Sequence, residues 1–382
     1  MRILFLQKVD NAKGGIANVN ENLMKYFLSQ NCQVDVLSLR HGYTWEDVSY
    51  PEGVTRYLVN DSEVWGLPRL YEILEEVKCG HFFKAFHMWA QRGSYKRRLA
   101  KDYEQCQKEI ERIQPDVIIN SHYELLDGIS EPYLKKTIMH FHTSFGQVLK
   151  NRSYVKMFRK YQSRIFTFVW LTEQTKKDAI SFGLNNSKCI YNPLFFSEER
   201  TADLKQKKVV FIGRLSEEKR IHLMIEYFRE VVQENELYDW TFEIYGSGPL
   251  VEKITEEIKD DKQILYKGQT EQVNEVLLES SLLVLTSEFE GMPLVVLEAN
   301  ECGVPALIYD FGESSREVVI NEKTGIIVPQ DDKESFKLNL KKMLSETKQR
   351  EKYSLPCKEF AKQFALETTG KKWMTLFEEM EK

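Results

Sequence analysis

Short apolar runs and longer amphipathic stretches alternate along most of this chain. Ile3–Leu6 is uniformly apolar and is followed by Gly14-Gly15, then by apolar positions at helical spacing over roughly 15–29. Val34–Leu39, Asp116–Ile119, Thr137–Phe141 and Phe166–Leu171 are further compact runs, rich in β-branched and aromatic residues. Runs of four to eight such residues separated by helical stretches predict buried strands in βαβ units, and hence a parallel sheet. The region 69–114 is longer, reads as helical, and is rich in basic and aromatic residues.

The alternation pauses at 191–208, a stretch containing Tyr191-Asn192-Pro193 and then mostly charged residues. Such composition predicts an interdomain linker. The pattern restarts with Val209–Ile212, Thr241–Tyr245, Gln263–Tyr266, Leu282–Thr286 and Ala306–Tyr309. We therefore expect two similar α/β domains, 1–190 and 209–360, with a cleft between them. The stretch 332–382 reads as helical. Trp373 and Phe377 suit its last part, 361–382, to docking back on the first domain.

At 382 residues, 42% hydrophobic and 29% charged, the chain has the composition of a soluble globular protein with two or three cores. The six cysteines (Cys32, Cys79, Cys106, Cys189, Cys302 and Cys357) include no C-x-x-C pair, which argues for reduced thiols and against a zinc site. The first apolar run is too short for a signal peptide, and no run is long enough to span a membrane. The net charge of −5 divides unevenly: residues 1–190 hold 27 Lys/Arg against 21 Asp/Glu, and residues 191–382 hold 26 against 37. Halves of opposite sign suggest domains with different partners.

Candidate chemistry collects at strand ends. Glu290 and Glu298 flank Gly291-Met292-Pro293-Leu294, between the run 282–286 and a helix-like stretch ending at Cys302-Gly303-Val304-Pro305. Carboxylates accept hydrogen bonds from sugar hydroxyls, and a helix start offers free N–H groups to an anion. An acidic loop capping a helix has the same spacing. Arg214 and Lys219 follow the strand 209–212; beside 287–298 they suit a diphosphate clamp, and alone they are an exposed charged loop. Gly246, Gly248 and Gly268 follow two other strands, where tight turns leave room for a base and ribose or serve the turn alone. Gly14 and Gly15 suit close approach of a phosphate or a plain turn, and no complete dinucleotide or phosphate-loop fingerprint is present. His122, His140 and His142 sit near the ends of adjacent strands, as site residues or as core histidines. There is no Asp-x-Asp, which favours charge neutralisation by Arg214, Lys219 and helix dipoles over a metal ion.

Together, Gly-Arg-Leu with Lys219, Gly-x-Gly-Pro at 246–249, the Glu-x7-Glu of 290–298 and Cys-Gly-Val-Pro at 302–305 resemble the retaining GT-B glycosyltransferases of family 4. Gly14-Gly15, Phe141–Ser144 and Tyr191-Asn192-Pro193 extend the resemblance over nearly the whole chain. It implies an acceptor-binding first domain and a donor-binding second domain, with a nucleotide diphosphate sugar, UDP above others, as donor. It also implies a lipid-linked saccharide acceptor in bacterial surface-polysaccharide synthesis, no metal and no cofactor. Arg214 and Lys219 would hold the diphosphate and Glu298 the ribose, with Gly246, Gly248 and Gly268 around the nucleotide. Glu290 would face the donor sugar, His142 would approach it from the first domain, and Gly14, Gly15 and His122 would form a phosphate or acceptor loop. Pro293 stands where many members have glycine; lacking an N–H, it leaves sugar contacts to Gly291, Met292 or Leu294. Rival expectations are an epimerase on the same fold, an inactive partner subunit and a nicotinamide oxidoreductase; the missing glycine fingerprint counts against the last.

Two basic stretches complete the reading. Lys78, Lys84, Arg92, Lys96, Arg97, Arg98 and Lys101 lie with Phe82, Phe83, Phe86 and Trp89 at near-helical spacing; residues 150–164 carry six cations and no acid. Such helices suit an anionic membrane surface, or an ordinary amphipathic packing against the first sheet, and the basic balance of the first half favours the membrane. The expectation is a cytoplasmic protein, peripheral at the inner face of the membrane, with no nucleic-acid partner.

Overall fold

The computed structural model describes residues 1–9, 15–41, 50–63, 77–78 and 81–381. Gly14 and the side chains of Arg92, Lys96 and Arg98 lie outside the described residues. The first sheet contains β1 (Arg2–Val9), β2 (Gln33–His41), β3 (Thr55–Glu63), β4 (Val117–Asn120), β5 (Thr137–His140), β6 (Thr167–Trp170) and β7 (Ser187–Cys189). The second contains β8 (Lys208–Ile212), β9 (Thr241–Tyr245), β10 (Ile264–Gly268), β11 (Leu282–Leu285), β12 (Ala306–Tyr309) and β13 (Gly325–Val328). Their orders are β3-β2-β1-β4-β5-β6-β7 and β10-β9-β8-β11-β12-β13, with every pairing between these strands parallel.

The uniformly apolar strands follow from this arrangement. A parallel sheet is covered by helices on both faces, so each strand buries both sides. In β1, Ile3 and Phe5 pack on one face with the helix Gly15–Ser29, and Leu4 and Leu6 on the other with Cys106 and Ile110 of the helix Phe82–Ile113. Leu366–Met380, the last helix, returns to the first of these faces: Trp373, Leu376 and Phe377 join Ile3 and Phe5, and the Phe27 and Phe377 rings lie 5.2 Å apart. The chain thus crosses twice between the sheets. The two crossings touch where Leu194 N–H donates to the Phe364 carbonyl at 2.7 Å.

The stretch 191–207 is less free than its polar composition suggests. Ala202 and Leu204 are buried against the second core. Buried Arg350 donates from Nε and Nη2 to the Leu204 carbonyl at 3.0 and 2.8 Å, and from Nη1 to the Leu344 carbonyl at 3.1 Å. Both sheets reverse strand order at one point, between β1 and β4 and between β8 and β11. Open parallel sheets present ligand sites beyond the strand ends at such points.

Candidate active site

The second domain's side of the candidate site is built from two loops at the switch point of its sheet. Gly213–Arg220 leaves β8 and Thr286–Pro293 leaves β11. They are tied together: Thr286 Oγ1 donates to the Lys219 and Arg220 carbonyls at 3.2 and 3.0 Å, and Glu288 N–H to the Glu218 carbonyl at 2.8 Å. Gln330 Nε2 donates to the Ser287 carbonyl at 2.8 Å, and Arg220 Nη1 donates to Gln330 Oε1 at 3.1 Å. Arg220 itself is left-handed, φ 50°, and turns the chain into the following helix.

This scaffold sets Lys219 Nζ on Glu290 Oε1 at 2.5 Å, with Ser287 Oγ donating to the same oxygen at 2.8 Å. Glu290 is 10% exposed and Lys219 20%, so the pair faces a restricted space. Arg214 is exposed and makes no ion pair among the described residues. Burial works against the charge of Glu218, but Ser216, a backbone N–H, Lys219 and Arg214 together hold its carboxyl below the usual range.

After Pro293 the chain enters the helix Leu294–Cys302. The N–H groups of Gly291, Met292 and Leu294 carry no hydrogen bond among the described residues. They are the N–H groups that the sequence offers in place of the one Pro293 lacks. Met292 side chain is part of the second core, and Leu294 packs against the cores of both domains. Glu298, one turn further, is 8% exposed and has no hydrogen-bond partner among the described residues. Burial pushes its carboxyl up to about 7.

The glycines divide. A Cβ on Gly246 would overlap the Gly213 carbonyl and one on Gly248 the Leu215 carbonyl, because the two loops lie backbone against backbone. The space these residues leave is taken by protein, whatever contact their main chain makes to a ligand. A Cβ on Gly268 would meet nothing within 4 Å. Gly15 opens the first helix, and its Cβ position is equally empty.

The first domain contributes from the ends of β4 and β5. His142 Nε2 lies 3.2 Å from Ser121 Oγ, and its ring lies 4.1 Å from that of His140, which meets Trp373 edge-on at 5.1 Å. Burial, then neighbouring His122, pushes the His142 imidazole down to about 3; burial lowers His140 and His122 too. His140 belongs with the core; its Nδ1 is buried without a partner. The domains meet at this point. A Cβ on Gly291 would come within 2.7 Å of the His142 carbonyl oxygen and 3.1 Å of Thr143 Cα. Lys150 Nζ lies 5.8 Å from the Phe289 ring centre across the same gap. Glu290 and His142 are thus next to the two sides of one close approach.

Residues 195–358 match the family described as Glycosyl transferases group 1. The match covers the linker and most of the second sheet's domain. Over 287 residues, 72% of the chain, the sequence is 25% identical to an exopolysaccharide phosphotransferase of Streptomyces coelicolor. Over 145 residues, 36% of the chain, it is 30% identical to the UDP-Gal:alpha-D-GlcNAc-diphosphoundecaprenol alpha-1,3-galactosyltransferase of Escherichia coli. The chain spans 30% and 37% of the lengths of these relatives. A solved mutant of S. aureus TarM, in complex with fondaparinux, alpha-GlcNAc-glycerol and UDP, superposes with a TM-score of 0.74, covering 99% of this chain and all of that one at 16% identity. The architecture is therefore GT-B, as the sequence resemblance implied.

Some partners in the two domains escape sequence reading. Ser287 was within the acidic run and Ser121 beside His122, but nothing local marks either as a partner of Glu290 or His142. The two basic stretches part company. In the helix Arg152–Tyr161 the apolar face, Met157, Phe158 and Tyr161, is buried in the first core. Of the cations in 150–164, Lys160 pairs with Asp127 and Arg164 with Glu131. At the start of the helix Phe82–Ile113 the aromatics stay outside: Phe83 is 94% exposed, with Phe82, Phe86 and Trp89 also exposed. Among the described residues no helix is long and apolar enough to cross a membrane.

Proposed function

We propose that the protein transfers a sugar from a UDP-sugar to a lipid-linked saccharide, with retention and without a metal, at the inner face of a membrane. The observation that supports this reading is the Lys219–Glu290 pair at the switch point, on a loop and helix start that also carry Arg214 and Glu298, with the His142 main chain across the gap from Gly291. The second domain, 209–360, is the donor domain and the first, 1–190, the acceptor domain.

Arg214 and Lys219 take the diphosphate, and Lys219 gives up part of its contact with Glu290 to do so. Glu290 and the N–H groups of Gly291, Met292 and Leu294 are then free for sugar hydroxyls. Glu298 receives the ribose. In the reaction the bond from the anomeric carbon to the diphosphate breaks and a bond to the acceptor oxygen forms on the same face. The acceptor proton passes to the departing phosphate oxygen, so no protein base is required. Negative charge grows on that oxygen, and Arg214 and Lys219 bind it more tightly as it grows. His142 is neutral and acts by hydrogen bonding. UDP as the donor nucleotide and a diphosphate-linked lipid as the acceptor agree with the names of the Escherichia coli relative and the TarM complex.

A thermal-shift panel in EDTA tests the donor reading. UDP is expected to outrank ADP and GDP, with about 2.7 kcal/mol of added stability at 100 times its dissociation constant. Product analysis with membrane extracts then identifies the acceptor. A strict requirement for Mg²⁺ or Mn²⁺ in UDP binding would remove the metal-free clamp.

A further inference from the structure

A carboxylate of the second domain caps a helix of the first. Glu317, in the short helix Glu313–Val318 after β12, accepts the N–H of Glu173 on Oε2 at 2.8 Å and the N–H of Gln174 on Oε1 at 2.9 Å. These are the first two N–H groups of the helix Glu173–Ser181, which its own preceding turns cannot satisfy. The same Oε2 accepts the Tyr191 hydroxyl at 2.9 Å. Thr172 caps the helix locally by accepting the Thr175 N–H on Oγ1 at 3.1 Å, so Glu317 is not needed to start the helix.

Tyr191 marks the crossing between domains. Its ring meets Phe364 of the return crossing edge-on at 5.2 Å and lies 5.1 Å below Lys372 Nζ of the last helix. Glu317 therefore joins the donor domain to a first-domain helix and to the crossing itself. Across the cleft the domains touch at Gly291 and His142 and at Phe289 and Lys150. A negative charge on a helix N-terminus, made by both carboxylate oxygens, is a directional contact that a rotated domain would not keep.

We propose that Glu317 is a positioning residue: its clamp on Glu173, Gln174 and Tyr191 holds the two domains at the angle that places His142 opposite Glu290. This rests on the transferase reading for its consequence in catalysis, but not for its consequence in conformation. Glu317 touches neither nucleotide nor sugar in that reading. Its loss is expected to slow transfer while UDP, held by the second domain alone, binds as before.

The test uses the full chain with Glu317→Gln, and Tyr191→Phe as a milder variant that removes one of the three bonds. Hydrogen exchange at the Glu173 and Gln174 amides reads the clamp, and small-angle scattering of the ligand-free protein reads the domain angle. In E317Q those amides are expected to exchange faster, the radius of gyration to rise, and kcat to fall about tenfold or more, as misplacement of a site half does. UDP affinity is expected to stay within about twofold, since the clamp makes no contact that distinguishes bound from free nucleotide. Y191F should lie between. Unchanged amide exchange overturns the clamp; faster exchange with unchanged kcat, or a matching loss of UDP affinity, overturns the positioning role. A wild type that neither binds UDP nor transfers sugar sinks the proposed function instead, and exchange with scattering still decides the clamp.

Discussion

At the scale of single residues, burial sets the charge of the two groups most informative for the site. Glu298 ionises near 7 when folded and near 4.5 when unfolded. Its raised value means that the folded state resists losing the proton, so the penalty is absent below about pH 4.5 and complete above about pH 7. From the shift, holding it ionised in the ligand-free protein costs about 3 kcal/mol at pH 8. Glu298→Gln is therefore expected to raise urea stability at pH 8 while weakening UDP binding, an exchange of function for stability. A variant that is less stable at pH 8, or binds UDP unchanged, would remove the ribose role. His142 runs the other way. Its folded value near 3 lies below the ordinary 6.5, so the stability it contributes is present above pH 6.5 and lost as pH falls. At pH 5 the loss is about 2 kcal/mol from His142, with His140 and His122 acting in the same direction. Urea midpoints at pH 7.5 and 5 measure it, and His142→Gln should reduce the difference; an equal difference in the variant would deny His142 its share. The sequence displays Lys219, Glu290 and Glu298 because each sits in a local strand-end motif. It hides Glu317, whose helix-capping partners lie 143 and 144 residues away.

Among elements, the strands that the apolar pattern finds and those it misses differ by position in the sheet. β1, β2, β4, β5, β6, β8, β9, β11 and β12 are interior, and all carry the recognisable apolar runs; the edge strand β10 does too. β3, β7 and β13 were not visible in the pattern, and all three are edges. An edge strand pairs on one side only. β3 (TRYLVNDSE) and β7 (SKC) read as polar loops, whereas β13 (GIIV) is apolar but only four residues long. The loops are legible as glycine-bearing turns, but not what each glycine accommodates, since the partner atom comes from another element. That distinction yields a contrast. Gly246→Ala places a methyl on the Gly213 carbonyl of the same domain, at a φ of 134°. It is expected to cost about 2 kcal/mol or more of stability by backbone strain and overlap. Gly291→Ala places one on His142 of the other domain. It should leave urea stability within about 1 kcal/mol, because the domains can separate slightly, and cut transfer about 100-fold for the same reason. Equal transfer by G291A and wild type would mean that this approach of the domains is not the reacting geometry.

For the whole molecule, the longest helix among the described residues exposes aromatics at one end. Phe82–Ile113 has 32 residues and is about 48 Å long at 1.5 Å per residue. It ends just before β4 begins, and so runs back along the sheet toward the strand ends where the cleft opens. Cys106, Ile110 and Ile113 of its last turns are in the core, whereas Phe82, Phe83, Phe86 and Trp89 of its first turns are exposed. Exposed cations accompany them: Lys78, Arg97 and Lys101 on this segment, and Arg152, Lys156 and Arg159 on the helix that shares its face of the sheet. Under the proposed function, four exposed aromatics with basic neighbours on the first domain suit a lipid surface, the aromatics entering the interface and the cations meeting headgroups. The structure narrows the sequence expectation here, since the apolar face of Arg152–Tyr161 is spent on the core and leaves that helix only its charges. Liposome co-sedimentation is expected to show binding to vesicles containing phosphatidylglycerol, weakening as salt rises. Arg152→Glu with Arg159→Glu should weaken binding, each surface cation contributing about 1 kcal/mol near an anionic leaflet. Phe83→Ser with Trp89→Ser should weaken it further while leaving UDP binding intact. Equal binding to neutral vesicles would deny the cations their part, and binding untouched by the aromatic substitutions would place the membrane contact elsewhere on the molecule.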